Sequence, residues 1–390
     1  MAAMKIPGYK HCADSPIQQL LPPERVRLPI AEMLPAVDVG DRVEAGTVVA
    51  RSAPDAEWQR RAHSPLTGRV VAISEPASEE GPTREVVIEG RAPTETSARP
   101  HLDAATLSAD RILTCARDAG VVGMSGAQFP THVKLRPGVP IDCVIVNGSE
   151  SEPFITCDHR VLAEHRHEVE CGMHLAMRAV GATRGEITTG RRGHPFGQER
   201  FVISDVLGRD VPDGRLPKDV GVVVINVQTA RALHHAVCDR EPLLERVITV
   251  DGSAVASPGN YTVPIGTEVG HALTQCGVRL DEAAVLVAGG PMMGESAGLE
   301  TPIGPGTGGV LALGHGQISD LLDRPCVRCG ECMESCPFGL PVVLLLEEPN
   351  EALLQCIECG VCQFVCAAQR PLIDGIRSVK AELRAGRRQG

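Results

Sequence analysis

The most specific chemistry in this sequence lies in two cysteine runs. Cys326-Val-Arg-Cys329-Gly-Glu-Cys332-Met-Glu-Ser-Cys336 is followed by Cys356-Ile-Glu-Cys359-Gly-Val-Cys362-Gln-Phe-Val-Cys366, so C-x2-C-x2-C-x3-C occurs twice with 19 residues between the runs. At this spacing three thiolates of a run wrap one 4Fe–4S cluster and the fourth reaches the other cluster. The expected ligand sets are Cys326, Cys329, Cys332 and Cys366 for one cluster, and Cys356, Cys359, Cys362 and Cys336 for the other. Tight loops of this kind aim backbone N–H groups at the cluster sulfides. Zinc sites use cysteine pairs with a distant second pair or histidines, a pattern that two runs of four do not match. Ala367 stands where a proline usually follows the last cysteine. Two clusters in one domain pass single electrons, so the chain needs something at the input end.

A second candidate is Gly120-Val-Val-Gly123-Met-Ser-Gly126-Ala-Gln-Phe129-Pro130-Thr131-His-Val-Lys134. A glycine loop lets backbone N–H groups approach a phosphate, with Lys134 as countercharge. Further on, Asn147-Gly-Ser-Glu150-Ser-Glu152-Pro153 ends the apolar run Ile141–Val146. Carboxylates at a strand end can accept hydrogen bonds from flavin or nucleotide hydroxyls and ring N–H groups. The glycine loop alone fits a structural turn equally well; the combination with the acidic strand end is more specific.

The elements that must position these groups follow from composition and periodicity. The chain has 390 residues, 43% of them hydrophobic, with 15 Cys but only six Phe, two Tyr and one Trp. Two to four domains are expected, with cores built from Val, Leu, Ile and Ala. A net charge of −11 and the lack of stacking rings argue against nucleic-acid binding. Every apolar run is strand-length, which excludes a membrane-spanning helix. Met1–Lys10 lacks the apolar core of a secretory leader, and abundant cysteine without that leader points to a cytoplasmic protein. Val26–Ile30, Val37–Val43, Gly46–Ala50 and His63–Ile73 read as short strands. Their two halves resemble a lipoyl- or biotinyl-type sandwich, a Gly-turn hairpin being the simpler alternative. The connecting tip Arg51–Ala62 carries no Lys, so no swinging-arm cofactor is indicated. Helices expected at Ala104–Ala119, Asp158–Gly181 and Thr229–Cys238 alternate with strands at Ile141–Asn147 and Val220–Val227, the pattern of a mostly parallel α/β sheet with ligands at its carboxyl end. Arg246–Val250, Gly252–Ala254 and Asn260–Pro264 read as strands, Val269–Cys276 as a helix, and Gly304–Gly309 as a linker or tight turn.

In this order, the sandwich, glycine loop, acidic motif and ferredoxin-like cysteines resemble RnfC, the NADH-oxidising component of the Rnf electron-transport complex. The resemblance spans residues from about 20 to 380. The middle part is similar to the flavoprotein of respiratory complex I, whose loop reads GRGGAGFPTGxKW and whose acidic motif reads NADESEP. Pro195-x-Gly197-x-Glu199-Arg200, Asn226-Val-Gln-Thr229, Asp251-Gly252 with Pro258-Gly259-Asn260, and Gly289-Gly-Pro-Met-Met-Gly294 match further family motifs. The resemblance implies a multidomain α/β plus β protein in four parts. These are a barrel-sandwich hybrid (1–98), a complex I flavoprotein-like FMN/NADH α/β domain (99–242), an SLBB β-grasp domain (243–316), and a two-cluster ferredoxin domain with a helical tail (317–390). It further implies an FMN site at Gly123, Gly126, Lys134, Asn147, Glu150, Ser151 and Asn226, with Glu152 and Phe129 flanking the nicotinamide of NADH. The implied partners are redox proteins of a larger complex, with peripheral docking on the cytoplasmic side of a membrane.

The chain departs from the family pattern at three places. Ser125 and Gln128 replace loop glycines, and Ser149 replaces the acidic motif's Asp. A non-glycine residue held in left-handed backbone costs roughly 1–2 kcal/mol, and a side chain at 128 facing the ligand would block it. These replacements leave open a non-catalytic relay and scaffold role with a degenerate flavin site. Of the other cysteines, Cys115, Cys143, Cys171, Cys238 and Cys276 read as small core hydrophobes, while Cys157 is the candidate for a thiol role. His165/His167 and His234/His235 read as solvated helix faces, and the basic stretch Arg377–Arg388 as an exposed helix or a docking face.

Overall fold

The computed structural model describes residues 9–74, 84–93, 102, 106–189, 193–318 and 324–389. The expected helix start at Ala104, the division near residue 98 and most of Met1–Lys10 lie outside these. Strands Arg25–Pro29, Arg42–Val43, Thr67–Ile73 and Glu85–Arg91 form one antiparallel sheet, and Leu34–Pro35, Val48–Arg51 and Arg61–His63 a second. Alternating side chains from both sheets, among them Val26, Leu28, Val49, Val70 and Ile88, close a core between them.

The middle of the chain builds a three-stranded parallel sheet with Cys143–Asn147 at its centre, flanked by Arg184–Thr188 and Val222–Asn226. The period-two alternation of a strand buries both faces. Val144, Val146, Val223 and Ile225 face one core; Cys143, Ile145, Val222 and Val224 face another, under helix Glu199–Leu207. The long helix expected over 158–181 is two helices, Cys157–Glu164 and Arg166–Val180, separated at His165. The next helix runs from Val227 to His234 and then widens into a π-turn, His235–Asp239. Asn226 caps it: the side-chain oxygen accepts from the Gln228 N–H at 2.8 Å, satisfying one of the free donors of a helix start.

A six-stranded sheet follows, containing Glu245–Asp251, Gly259–Pro264, Ala283–Ala288, Glu295–Ser296 and Gly309–Gly314. The expected strand at Gly252–Ala254 is a turn, because Gly252 takes φ +122°. The edge strand of this sheet, Ile17–Gln19, comes from the start of the chain and pairs in parallel with Asn260–Thr262. Val247, Leu311 and Leu313 face the middle core, while Ile248, Val250, Val310 and Ala312 pack with helix Val269–Gln275. A last core gathers Cys336, Leu340, Leu345, Leu353, Cys362 and Ile376 beneath helix Leu372–Gln389.

Helices Arg166–Val180 and Val227–His234 approach until their backbones touch. A Cβ added at Gly172 would lie 1.9 Å from the Ala230 carbonyl oxygen. Gly172→Ala is therefore expected to lower stability by about 1–3 kcal/mol, the usual cost of overpacking, read as a lower urea midpoint at unchanged slope.

Candidate functional site

A cavity of about 930 Å³ lies along strand Val222–Asn226 and the glycine loop. Six of the nine residues expected around flavin and nicotinamide line it: Gly123, Gly126, Phe129, Lys134, Asn147 and Asn226. Arg136, Arg200, Arg215 and Lys218 add positive charge to the wall, although Lys134 pairs with Glu199, Arg136 with Asp110 and Arg200 with Asp213. Thr131 Oγ1 and Ser149 Oγ are buried without a hydrogen-bond partner among the described residues, and both residues belong to this wall. A buried unpaired hydroxyl costs about 1–3 kcal/mol. Cationic walls, a glycine loop and two waiting hydroxyls fit a phosphate-bearing, hydrogen-bonding ligand such as FMN.

The two replaced loop glycines differ in consequence. Gln128 sits in left-handed backbone at φ +50° and Gly126 at +115°, whereas Ser125 is outside that region. The Gln128 side chain packs on the turn 304–306, where a Cβ added at Gly306 would lie 3.1 Å from its Cγ. It thus borders the cavity rather than closing it. Phe129 meets Trp58 edge-on, with ring centroids 4.9 Å apart, so the tip that lacks a swinging-arm lysine supplies an aromatic side chain instead.

Glu150, Ser151 and Glu152 stand outside the cavity wall. The Glu150 carboxylate accepts from the Asp158 and His159 N–H groups at 2.8 and 3.2 Å, and burial, then the neighbouring Asp158, pushes its carboxyl up to about 7. Lys10 donates from Nζ to the Glu150 and Glu152 carbonyls at 2.8 and 2.7 Å and to that of Ile155. Asp158 in turn accepts from Asn226 and Gln228, which ties the acidic turn to the helix cap at the cavity. Ser151 lies against Gly197, where an added Cβ would be 2.7 Å from its Oγ. The Glu152 carboxylate accepts from the Met292 N–H at 3.1 Å, and burial pushes it up to about 7. Cys157 is buried, with Sγ 3.1 Å from the Gly308 carbonyl oxygen. Burial raises its thiol well above the ordinary value, so it holds a proton where a reactive role needs a thiolate.

The two cysteine runs fold alike. Arg328 and Glu358 take φ +56° and +53°, and their N–H groups point at Cys326 Sγ (3.3 Å) and Cys356 Sγ (3.4 Å). Cys336, Cys356, Cys359 and Cys362, the second expected ligand set, line one small cavity together. Burial pushes Cys359 up to about 11 and Cys362 up to about 12; four crowded soft thiols fit a cluster that stabilises them as thiolates. In the first set, Cys326 and Cys329 raise the Cys332 thiol after its own burial, Cys329 is exposed, and Cys366 Sγ accepts from the Arg370 N–H at 3.5 Å.

The second run abuts the large cavity. Ile357 is part of the cavity wall, His194 Nε2 lies 2.6 Å from the Cys359 carbonyl oxygen, and a Cβ added at Gly360 would lie 2.6 Å from the Met292 carbonyl oxygen. Burial lowers His194, so its neutral ring donates to that carbonyl. Trp58 and His194 carry no spacing signal that marks them for these roles, Trp58 standing out only as the sole tryptophan; Thr131 and Met292 lie inside the quoted motifs, but nothing in the spacing singles out their contacts. His234, expected on a solvated face, is buried, and His235 bridges Asp239 and Glu168.

Family models match the chain in four places. They are the RnfC barrel sandwich hybrid domain over residues 3–91, the Nuo51 FMN-binding domain over 116–192, the SLBB domain over 247–296 and the 4Fe-4S dicluster domain over 320–367. The chain is 34% identical to the C component of the proton-translocating ferredoxin:NAD(+) oxidoreductase complex of Clostridium ljungdahlii, over 96% of this chain and 92% of that one. It is 33% identical to the C component of the Na(+)-translocating ferredoxin:NAD(+) oxidoreductase complex of Acetobacterium woodii, over 94% and 93%. An NAD+-reducing NiFe-hydrogenase in its H2-reduced state shares the fold with TM-score 0.54 at 20% identity, over 75% of this chain and 68% of that chain. Among the described residues no helix is long and apolar enough to cross a membrane.

The raised Glu152 carboxyl has a signed consequence. Its folded value near 7 exceeds the ordinary 4.5, so the stability it confers is complete below about pH 4.5 and is lost as pH rises through about 7. Glu152→Gln keeps an acceptor for the Met292 N–H but does not ionise. The urea midpoints at about pH 5 and about pH 8 are expected to lie closer together in this variant than in the unaltered chain.

Proposed function

Because the chain belongs to the RnfC family, we propose that NADH delivers its electrons at the large cavity and that they leave through the ferredoxin cysteines to a partner redox protein. It is an electron-transfer oxidoreductase subunit, and its domains are those of FMN and of two 4Fe–4S clusters. When bound, FMN exchanges electrons in pairs or singly and the clusters exchange them singly. The rest is the work of this chain's residues. The loop Gly123–Phe129 and Lys134 hold the phosphate, the Thr131 and Ser149 hydroxyls take polar edges of the flavin, and Asn147 and Asn226 bound the ring end. Phe129, backed by Trp58, flanks the nicotinamide. Glu150 and Ser151 act one step back by shaping the turn, and Glu152 braces the Met292 loop.

One observation carries this reading: Ile357, which lies between the ligands Cys356 and Cys359, forms part of the cavity wall. It supports an inner cluster on Cys336, Cys356, Cys359 and Cys362 beside the flavin. Exposed Cys329 supports an outer cluster on Cys326, Cys329, Cys332 and Cys366 that faces the partner. The packing of Gln128 on residues 304–306 favours a working flavin site over a relay with a degenerate one. We take the four domains to divide near residues 98, 242 and 316. The relatives' membership of ion-translocating complexes supports a peripheral place on the cytoplasmic face of a membrane complex.

Anaerobic reconstitution with iron, sulfide and FMN tests the reading. About eight irons and one FMN per chain are expected, with visible bleaching on adding NADH. Eight irons with no flavin and no bleaching would leave only the relay. Cys336→Ala is expected to lose about four irons and, with them, electron output from NADH to an added one-electron acceptor, while NADH still bleaches the flavin. Output unchanged by Cys336→Ala would reverse the assigned order of the clusters.

A further inference from the structure

Outside the cavity and the ferredoxin runs, two cysteines far apart in sequence meet between helices. Cys171 lies on helix Arg166–Val180 and Cys238 in the π-turn His235–Asp239, and their sulfur atoms are 3.9 Å apart. His234, the last residue of helix Val227–His234, completes a group in which one ligand atom from each residue lies within 4.8 Å of the others. The Gly172–Ala230 backbone contact is what brings the two helices close enough for these side chains to converge.

We propose that Cys171, His234 and Cys238 bind a borderline-soft divalent cation, zinc in the first place, and that the bound ion clamps helix Arg166–Val180 to the end of helix Val227–His234.

The geometry fits a tetrahedral ion. Zinc–sulfur bonds of about 2.3 Å place two sulfurs on one tetrahedral edge about 3.8 Å apart, close to the observed 3.9 Å. A disulfide needs the sulfurs at about 2.05 Å, so the two are unbonded thiols in contact, at a separation that also admits an ion between them. Two thiols and one imidazole select zinc over magnesium or calcium, which prefer oxygen. Asp239 Oδ2 lies 3.6 Å from His234 Nε2 while it pairs with His235 Nδ1 at 2.8 Å, so a carboxylate stands within reach of the imidazole that would ligate the ion. The π-turn His235–Asp239 that carries Cys238 is a second, independent mark, because such bulges gather at functional sites. Cys171 is half-buried, so water can supply the fourth ligand.

Zinc ion alone, titrated into the full chain with both clusters in place under anaerobic conditions, tests this. The unaltered chain is expected to retain one zinc equivalent more than Cys171→Ala/Cys238→Ala, since every ferredoxin cysteine is common to both proteins. The zinc X-ray absorption edge is expected to show two sulfurs at about 2.3 Å with nitrogen or oxygen at about 2.0 Å. Zinc is also expected to raise the melting temperature of the unaltered chain and not that of the variant. Equal zinc in the two proteins would overturn the proposal, as would a shell of four sulfurs, which belongs to a misloaded cysteine run. Iron content read on the same samples reports folding. If the double variant loses iron, the near-isosteric Cys171→Ser decides instead: a loss of at least about tenfold in zinc affinity supports the site, and unchanged affinity overturns it.

Discussion

An amine ringed by carbonyls organises the middle of the molecule. Lys10 is half-buried, loss of water around it lowers its pKa, and Glu150 most strongly opposes that shift. An ammonium taken out of water is tolerated only where acceptors surround it. The turn from Glu150 to Ile155 supplies three carbonyls and is thereby held in one shape. That shape starts helix Cys157–Glu164 where Glu150 can receive its first N–H groups, and it sets Asp158 against Asn226. From the six-stranded sheet the fully buried Arg246 reaches the carbonyls of Met124 and Pro305. One cation thus braces the acidic turn and another the glycine loop, and residues at the edges of these segments, Ser149 and Asp158 on one side and Ser125–Phe129 on the other, line the large cavity.

The same bracing fixes the seam with the cysteine runs. Glu152 leaves the turn to hold Met292, whose carbonyl packs on Gly360, and His194 holds the Cys359 carbonyl. Electron transfer between cofactors falls off steeply with separation, so a seam tied by backbone groups is of more use than one tied by long side chains. Aromatic contacts widen it: Phe201 meets Phe196 and Phe338, and the Arg200 guanidinium lies 4.8 Å over the Phe338 ring.

The order of units and the cysteine pattern were legible because both depend on local spacing: period-two runs, glycine turns, C-x2-C. The family motifs led to six residues of the cavity wall. What did not show in the sequence depends on contacts between distant segments. Glu150 and Glu152 look like ligands at a strand end, yet their carboxylates turn away to backbone N–H groups at Asp158 and Met292. Nothing near Gln128 foretold that residues 304–306 would receive its side chain. Cys171 and Cys238 read as filler because each sits alone on its helix, and only the glycine contact at 172 brings them together. His165 ended a helix that periodicity alone would have continued, because apolar spacing survives a break between two packed helices.

The strand Ile17–Gln19 has a consequence for how the chain is made. Its neighbour in the sheet is Asn260–Thr262, so more than half of the polypeptide separates the two. During synthesis the first sandwich, complete by Arg91, has its own core and can close early. The segment before it must wait, its edge unpaired, until the distant partner leaves the ribosome, and loop closure over such a span is slow. Lys10 waits with it. The acidic turn therefore gains its cation as a late event, only when the beginning of the chain has come back to meet its second half.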